Sequence, residues 1–507
     1  MSNTQTQTAA EPTEPAAAAR AAKKADRVPM RRVIPWASHG LSTAAMTLLI
    51  GYFTIYATDT LGLNPATVGI LLVVSKVIDA AGALFSGYIV DWAPETRFGK
   101  ARPFELVLIP AWGAAALMFS VPGGIGEFAQ YVWLFVSYIL LTAIFLPLYG
   151  ANQPLYTARV FPKRAHYADV NAKGGIFAVI FAIVLGVVMP QAIALAGKDP
   201  GAWSLVAICV ALPAAGIGLI RFFMFRESPD AAEISAERVK FADIFHVLRT
   251  NPYMWALSAM SVSAGASSGV SAGVYYFRYI VGDIGLQSIA SIGYVALLPV
   301  LLIFPMLVRK MSVSHLIAIS SLLGATGMMI MFFAGSNLAL VVLAVIIGGF
   351  AFLPFSLLAP ILIIDNATYN EYIGNRRLES VGGAFFSFAN TLGAALAAGM
   401  LGLVLTISGY DGTADTQTAS ATQGIIALNS YIPAVFAVIT AVIALFYNKL
   451  EHKIKKISAE VMVRRQMALD LEIVPGSTPS GTEALHIVRS ESSRGIRFRK
   501  NNKKDDH

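Results

Sequence analysis

Hydrophobic residues in this chain form long, nearly unbroken stretches separated by short polar segments. A helix needs about 20 mainly apolar residues to cross a bilayer, whereas the strands of a membrane barrel alternate apolar and polar positions. The unbroken stretches therefore predict helices. We predict twelve membrane-spanning helices, at residues 33–58, 66–90, 104–122, 131–155, 174–196, 202–224, 253–281, 286–308, 314–334, 338–364, 381–408 and 428–447.

The longest connection between predicted spans, residues 225–252, divides them into two groups of six. We predict five regions: a disordered N-terminal tail at 1–32, a six-helix bundle at 33–224, a central loop at 225–252, a second six-helix bundle at 253–447, and a basic C-terminal tail at 448–507. The C-terminal tail begins with a mixed apolar and basic segment that predicts a helix on the membrane surface. Two six-helix bundles joined by a central loop are the layout of an all-α, major-facilitator-type membrane protein.

Lysine and arginine residues are distributed unevenly between the two ends of the predicted spans. The connections after even-numbered spans, counted with the adjoining helix ends, hold 16 of them, whereas those after odd-numbered spans hold one, Lys198. Basic residues accumulate on the cytoplasmic side of membrane proteins. We therefore expect both termini in the cytoplasm and the protein in the cell inner membrane.

Composition excludes several classes of protein. The chain is 56% hydrophobic and 13% charged, whereas soluble domains have about 25% charged residues, so a soluble enzyme is excluded. The net charge of +8 comes from the two tails, which indicates contact with a membrane surface and not with nucleic acid. The one cysteine, Cys209, excludes a disulfide framework, and no nucleotide-binding GxxxxGK[ST] pattern is present. We expect no enzymatic activity, no cofactor and no metal site.

Charged residues are rare inside the predicted spans, and three of them stand out: Lys76 and Asp79 in the second and Arg278 in the seventh. A charge at the centre of a spanning helix costs roughly 2.5–3.5 kcal/mol or more, so such residues face a water-filled cavity or a partner. Asp79 lies about three helical turns before Asp91, which places it near the middle of the bilayer. Each of the three is either functional or part of an ion pair that joins helices.

Three motifs follow one another along residues 75–410. The first runs from Asp79 through Asp91 to Arg97-Phe98-Gly99-Lys100-Ala101-Arg102-Pro103, the second is Pro147-Leu-Tyr149-Gly-Ala-Asn152-Gln153-Pro154, and the third begins Asp365-Asn-Ala-Thr-Tyr369 and ends Ser408-Gly409-Tyr410. Together they resemble the glycoside–pentoside–hexuronide:cation symporter family, the melibiose-permease-like branch of the major facilitators. The resemblance implies a secondary active transporter that moves a glycoside, pentoside or hexuronide by alternating access, coupled to a proton or a sodium ion.

The resemblance also implies roles for particular residues. It makes Asp79 the cation-coupling residue and places Tyr149 at an aromatic position that stacks on a sugar ring. It places Lys173 one residue away from the position of an arginine in the family. It also places Asn390 or Thr391 at the position of a lysine in the family. The other candidate solute contacts are polar side chains within spans, each of which could equally join two helices: Lys76, Asn152, Gln153, Arg278 and Tyr369.

The loop between the second and third spans is expected to form a cytoplasmic gate. Gly99 permits a tight turn and Pro103 favours a helix start. Arg97, Lys100 and Arg102 are expected to brace the ends of these spans against acidic residues such as Asp91.

Several family carboxylates are replaced in this chain, by Thr43, Ala83 and Phe145. A sodium site needs several oxygen ligands, so we expect coupling to a proton or to no ion instead of strict sodium dependence. Two alternatives stay open: a proton-antiport exporter of amphipathic compounds, and a transporter-like receptor or scaffold that moves no solute. We expect a monomer whose partners are a small solute and the lipid bilayer.

Overall fold

The computed structural model describes residues 28–161, 164–227, 249–270, 272–297, 311–374 and 379–472, with isolated residues between 299 and 310. Within these residues the regular secondary structure is helical, apart from one bridge between Thr96 and Gly99. The predicted all-α fold is confirmed. The tails at 1–27 and 473–507, and residues 228–248 of the predicted central loop, lie outside the described residues.

Six helical segments make up the N-terminal half. They are α1, Met30–Thr60, whose last turn Tyr56–Thr60 is a π-helix; α2, Pro65–Trp92; α3, a 3-10 turn at Arg102–Val107 followed by Leu108–Met118; α4, Glu127–Ile139, a π turn at Leu140–Phe145 and Leu146–Val160; α5, Arg164–Ala196; and α6, Pro200–Gly218 with Ile220–Met224.

The C-terminal half follows the same order. It contains α7, Pro252–Gly269 with Gly273–Tyr276 and a π turn at Phe277–Val281; α8, Ile284–Leu286, Gln287–Gly293 and Tyr294–Leu297; α9, Val313–Ala334; α10, Leu338–Gly348, Gly349–Ala351 and Leu353–Tyr372; α11, Glu379–Ile407; and α12, Ala419–Asn429 with Tyr431–Glu472.

Eight helices among the described residues are long and apolar enough to cross a membrane. They belong to α1, α2, α4, α6, α9, α10, α11 and α12. The predicted spans in α3, α5, α7 and α8 fall on helices that are shorter, broken or only partly described. The count of twelve spans and the boundaries of the two six-helix bundles therefore stay predictions.

Three helices begin at an Asx–Pro pair, which is a signal readable from the sequence. Asn64, Asp199 and Asn251 precede the first residues of α2, α6 and α7, and each side chain accepts hydrogen bonds from two backbone N–H groups of the first turn. Such caps satisfy N–H groups that have no partner inside the helix, and proline fits the first helical position. These caps determine where the chain re-enters the bundle.

The helix ends lie on two faces of the bundle. On the first, which we call the basic face, the loop between α2 and α3 contacts the end of α4 through Glu95 and Arg159. On the second, which we call the opposite face, Asp59 at the end of α1 contacts Tyr279 at the end of α7 and Tyr410 after α11. Successive helices therefore run in opposite directions, as a chain that crosses a membrane repeatedly requires.

Glycine residues let helices of the two halves touch. A Cβ atom on Gly69 of α2 would lie 2.9 Å from the Cα atom of Gly402 on α11, closer than real Cβ contacts come. Small residues at helix interfaces permit this close backbone approach in membranes, where dispersion contacts replace the hydrophobic effect as the source of attraction. The α2–α11 contact joins the N-terminal and C-terminal halves.

The last helix extends well beyond the predicted span at 428–447. Leu450, Ile457 and Val461 continue α12 and are buried in one apolar cluster. Arg464 donates a hydrogen bond of 3.1 Å to the carbonyl oxygen of Tyr372 at the end of α10. The segment predicted as a separate surface helix is therefore continuous with the last span and packs on the C-terminal half.

Candidate functional site

Asp79 lies where α2 packs on the π turn of α4. One of its carboxylate oxygens, Oδ2, is 2.8 Å from Nζ of Lys76, and the other accepts a hydrogen bond of 2.7 Å from the hydroxyl of Thr142. A Cβ atom on Gly82, one turn further along α2, would meet the carbonyl oxygen of Ala143. The two helices touch backbone to backbone at this point, and this contact brings Thr142 to Asp79.

The two charged residues predicted in the second span therefore pair with each other. They are three positions apart on one helix, so their side chains share a face. The Asp79 side chain is 10% exposed and that of Lys76 is 23% exposed. The ammonium group also lies 5.5 Å from the centroid of the Tyr138 ring on α4. The pair is nearly enclosed and carries no net charge.

A second buried ion pair joins α3 to α6. Glu105 and Arg221 are both fully buried, with 2.9 Å between Oε1 and Nη2. Tyr149 donates a hydrogen bond to Oε2 of Glu105 at 3.3 Å, and the Gln153 amide bridges Glu105 and Arg221. Two predicted solute contacts, Tyr149 and Gln153, thus have their polar groups engaged inside the N-terminal half.

Aromatic rings surround the Arg221 guanidinium group. Its Cζ atom lies 4.0 Å from the centroid of the Trp36 ring and 4.9 Å from that of Tyr156. The delocalised guanidinium charge is suited to such stacking. The sequence reasoning missed Glu105 and Arg221, because both lie near the ends of their predicted spans. An acidic and a basic residue in two otherwise uncharged spans were the available signal.

The predicted gate loop is organised around Glu227, which follows α6 on the basic face. Its carboxylate accepts hydrogen bonds from the backbone N–H groups of Lys100, Ala101 and Arg102, at 3.2, 2.7 and 2.7 Å. Arg159 at the end of α4 forms an ion pair with the same carboxylate at 2.8 Å. Glu227 therefore joins the start of α3 to the ends of α4 and α6.

The two arginine side chains of the loop lie against aromatic rings. Arg97 stacks on Phe98, and Arg102 lies 4.7 Å from the Phe222 ring centroid and donates to the Phe222 carbonyl oxygen. Among the described residues, Glu227 is an acidic partner of this loop. The side chain of Asp91 lies outside the described residues.

Gly99 adopts a backbone φ of +100°, which L-residues with a side chain rarely adopt. A Cβ atom there would lie 2.4 Å from the carboxyl carbon of Glu227. The predicted tight turn is confirmed, and its glycine also leaves room for the carboxylate that organises the loop.

The C-terminal half repeats this arrangement. Glu451 of α12 accepts hydrogen bonds from the backbone N–H groups of Val313 and Ser314, at 2.5 and 2.8 Å, at the start of α9. Within their halves, α9 and α12 correspond to α3 and α6. A carboxylate after or within the sixth helix of each half thus caps the third helix, where the free N–H groups favour a negative charge.

Asp59 forms a buried cluster between the halves at the opposite face. Its carboxylate accepts hydrogen bonds from Tyr279 at 2.6 Å, from Thr58 at 2.8 Å and from Tyr410, and it forms an ion pair with Arg278 at 3.3 Å. Arg278, predicted as a solute contact, is therefore paired here. Sequence reasoning missed Asp59, because it lies one residue beyond the predicted end of the first span.

Other bonds between the halves lie near the same face. The Gln191 amide on α5 donates a hydrogen bond of 2.9 Å to the carbonyl oxygen of Gly285 at the start of α8. Ser288 donates one of 2.6 Å to the carbonyl oxygen of Val187. Lys198 forms an exposed ion pair with Asp415 at 3.1 Å. The opposite face is closed in this conformation.

The remaining predicted solute contacts lie apart from one another. Lys173 on α5 contacts Asp169 at 2.6 Å and the carbonyl oxygen of Val28 at 2.8 Å, so it anchors the start of α1 on the basic face. Asn152 is fully buried and donates a hydrogen bond of 3.0 Å to the carbonyl oxygen of Ala101.

On the C-terminal half, Tyr369 packs edge to face on Tyr253 near the basic face. The Asn390 side chain points from α11 to the carbonyl oxygen of Ser261 on α7 at 3.5 Å, and the partly buried Thr391 bonds within its own helix. The predicted solute contacts therefore do not form one cluster in this conformation. A surface depression of about 480 Å³ on the opposite face, lined by Gln130, Asp199 and other residues, includes none of them.

Comparison with known proteins identifies relatives along nearly the whole chain. The uncharacterised symporter YnaJ from Bacillus subtilis is 26% identical over 435 residues, covering 83% of this chain and 91% of the relative. An isoprimeverose transporter of Lactiplantibacillus pentosus is 26% identical with the same coverage, and a glucuronide carrier protein homolog of Escherichia coli is 26% identical over 82% of this chain and 92% of its own.

Solved structures show the same fold at low sequence identity. The nucleoside transporter NupG aligns with a TM-score of 0.59 at 14% identity, covering 83% of this chain and 99% of its own. A D-xylose–proton symporter aligns with a TM-score of 0.54 at 16% identity, covering 80% of this chain and 96% of its own. The family described as MFS/sugar transport protein matches residues 37–449. The predictions of a secondary transporter and of no enzymatic activity are confirmed, and this chain belongs to the MFS/sugar transport protein family.

Proposed function

We propose that this transporter carries a sugar or glycoside-like solute, of the glycoside, pentoside or hexuronide class, by alternating access between its two halves. The observation that carries the proposal is the closed opposite face, where Asp59 and its partners join the halves. Bonds between halves on one face are what a carrier must break to expose its solute there. The relatives named for isoprimeverose and glucuronide support the solute class.

The protein acts as a monomer in the cell inner membrane, with the basic face and both termini in the cytoplasm. The gate residues Arg97, Lys100 and Arg102 lie on the basic face, in agreement with the excess of basic residues in cytoplasmic loops. In this orientation the closed opposite face is the outer one, so the conformation serves release to, or binding from, the cytoplasm.

Asp79 is the coupling residue of this proposal, with a proton or no ion as its partner. Among the described residues, its carboxylate accepts a hydrogen bond from the hydroxyl of Thr142. A sodium ion prefers a larger set of oxygen ligands. The ammonium group of Lys76 already lies within 2.8 Å of the carboxylate.

The test is a disulfide that locks the halves together. A Cβ atom on Gly186 of α5 would lie 3.1 Å from Cβ of Ser291 on α8, close to the separation of about 3.5–4.5 Å in disulfides. The double variant Gly186→Cys/Ser291→Cys is made in a Cys209→Ser background and reconstituted in liposomes. Counterflow is measured with isoprimeverose and with a glucuronide, using the two single-cysteine variants as controls.

Oxidation should stop counterflow in the double variant and leave both controls active, and reduction should restore it. Full activity of the oxidised, cross-linked protein would contradict alternating access at this interface. Absence of counterflow in the wild type for every glycoside, pentoside and hexuronide tried would contradict the solute class.

A further inference from the structure

The Lys76–Asp79 pair of α2 contains its own counter-charge. One oxygen of the Asp79 carboxylate accepts a hydrogen bond of 2.8 Å from the Lys76 ammonium group, and the other accepts one of 2.7 Å from the Thr142 hydroxyl. A buried carboxylate in a membrane requires a cation or a proton, because an unpaired charge is expensive there. The ammonium group supplies this cation from the same helix, three residues away.

Among the described residues, the neighbouring helices add no further charged side chain to the pair. From α4, Tyr138 and Thr142 contact it. From α11, which packs along α2, residues 380–407 contain no acidic or basic side chain. Asp59 of α1 forms an ion pair with Arg278 at the opposite face. The net charge of the pair is therefore zero before any ion binds.

We propose that the Lys76 ammonium group permanently occupies the position at Asp79 that a co-transported cation would take, so that transport requires no sodium ion or proton. This inference rests on the proposed function and selects one of its two coupling modes. Because the ammonium group belongs to the same helix as Asp79, three residues away, a rearrangement of whole helices does not by itself separate the two charges. Solute then moves down its own gradient, and no ion gradient can drive accumulation.

The decisive variant is Lys76→Gln, which keeps a long polar side chain and removes the cation. Removing one partner of a buried pair leaves the other charge unpaired, so we expect counterflow at neutral pH to fall roughly tenfold or more in choline chloride. Sodium chloride or a lower pH should restore it in a saturable way, since sodium or a proton can then neutralise Asp79. The wild type should show equal rates in sodium, potassium and choline chloride.

Three control variants separate charge compensation from packing. Lys76→Arg keeps the cation and should stay independent of ions. Lys76→Gln/Asp79→Asn removes both charges and should regain that independence. Lys198→Gln removes a lysine from an exposed ion pair at the opposite face and should leave ion dependence unchanged.

A second measurement needs no solute and so separates failure of this inference from failure of the proposed function. Thermal unfolding of the purified protein is followed in sodium chloride and in choline chloride at equal ionic strength. A ligand that binds the native state raises the melting temperature. Sodium should stabilise Lys76→Gln and leave the wild type unchanged.

Four results would overturn the inference. They are accumulation by the wild type under an imposed sodium or proton gradient, stabilisation of the wild type by sodium, ion-independent transport by Lys76→Gln, and ion dependence of the double variant. If Lys76→Gln folds only when sodium is present, the inference is supported. If Lys76→Gln folds in neither sodium chloride nor choline chloride, the gradient and melting measurements on the wild type decide whether the inference holds.

Discussion

Replacing Asp59 by Asn removes a negative charge from the closed opposite face and keeps the size of the side chain. The carboxylate accepts hydrogen bonds from Tyr279, Tyr410 and Thr58 and pairs with Arg278. Tyr279, Tyr410 and Arg278 belong to the C-terminal half. Opening this face separates them from Asp59, so their interactions favour the closed conformation.

The size of the effect follows from these contacts. A hydrogen bond to a charged group contributes about 1.5–3 kcal/mol when buried. Asn keeps one oxygen acceptor, and the exposed Asp59 of the open form regains water, so we expect a net loss of about 2–4 kcal/mol from the closed form. At 1.4 kcal/mol per factor of ten, the ratio of closed to open protein should fall by about 30-fold to 700-fold.

Spin labels on exposed positions of the opposite face report this ratio. Cysteines at Phe128 near the start of α4 and at Ser420 near the start of α12 lie on different halves, and the Cys209→Ser background removes the native thiol. Pulsed electron resonance in liposomes should show one short distance in the wild type. Asp59→Asn should raise the share of a longer distance.

A matched control uses a second carboxylate that joins the halves on this face. Asp415 is 96% exposed in its pair with Lys198, so Asp415→Asn should change the ratio by about fivefold at most. Identical distance distributions for wild type and Asp59→Asn would refute the reasoning. Combining Asp59→Asn with Arg278→Gln should give less than the sum of the two effects, because the residues form one cluster.

Three further predictions concern the basic face and the N-terminal core. Gly99→Ala should lower the melting temperature more than the control Gly124→Ala, since both have positive φ but only Gly99 has Glu227 in the way of a Cβ atom. Glu227→Gln and Glu451→Gln should each slow counterflow, and the effect should be larger at Glu227 because this residue also pairs with Arg159. Counterflow at the wild-type rate in both variants would contradict a role of these carboxylates in the conformational change. Arg221→Met should destabilise the protein by about 3–5 kcal/mol, because it leaves a buried carboxylate unpaired, and denaturant unfolding measures this.

Much of the fold could be predicted from hydrophobic pattern and loop charge. The predicted spans fall on helices in order, and the turn at Gly99 has the expected left-handed backbone. Asp59 was missed because the predicted first span ends one residue before it. Arg221 lies inside the predicted sixth span, but it was counted among the basic residues at the helix ends and not as part of a buried pair.

The partners of the candidate residues could not be predicted in the same way. Lys76 and Asp79 were identified together, and their spacing on one helix made a contact between them foreseeable. Tyr149 and Gln153 were also singled out, but their contact with Glu105 depends on how α3 and α4 pack. Arg278 was assigned to the solute before its pairing with Asp59 was visible.

The sequence by itself determined that this protein is helical, lies in a membrane and belongs to a sugar-transporter family, because these properties depend on local hydrophobicity and on motifs within short segments. Only the tertiary structure decided which charges neutralise one another. Asp59 meets Tyr410, which is 351 positions away in the chain, and Glu105 meets Arg221, which is 116 positions away. Partners so distant in sequence are brought together by the packing of whole helices, and no local pattern records that packing.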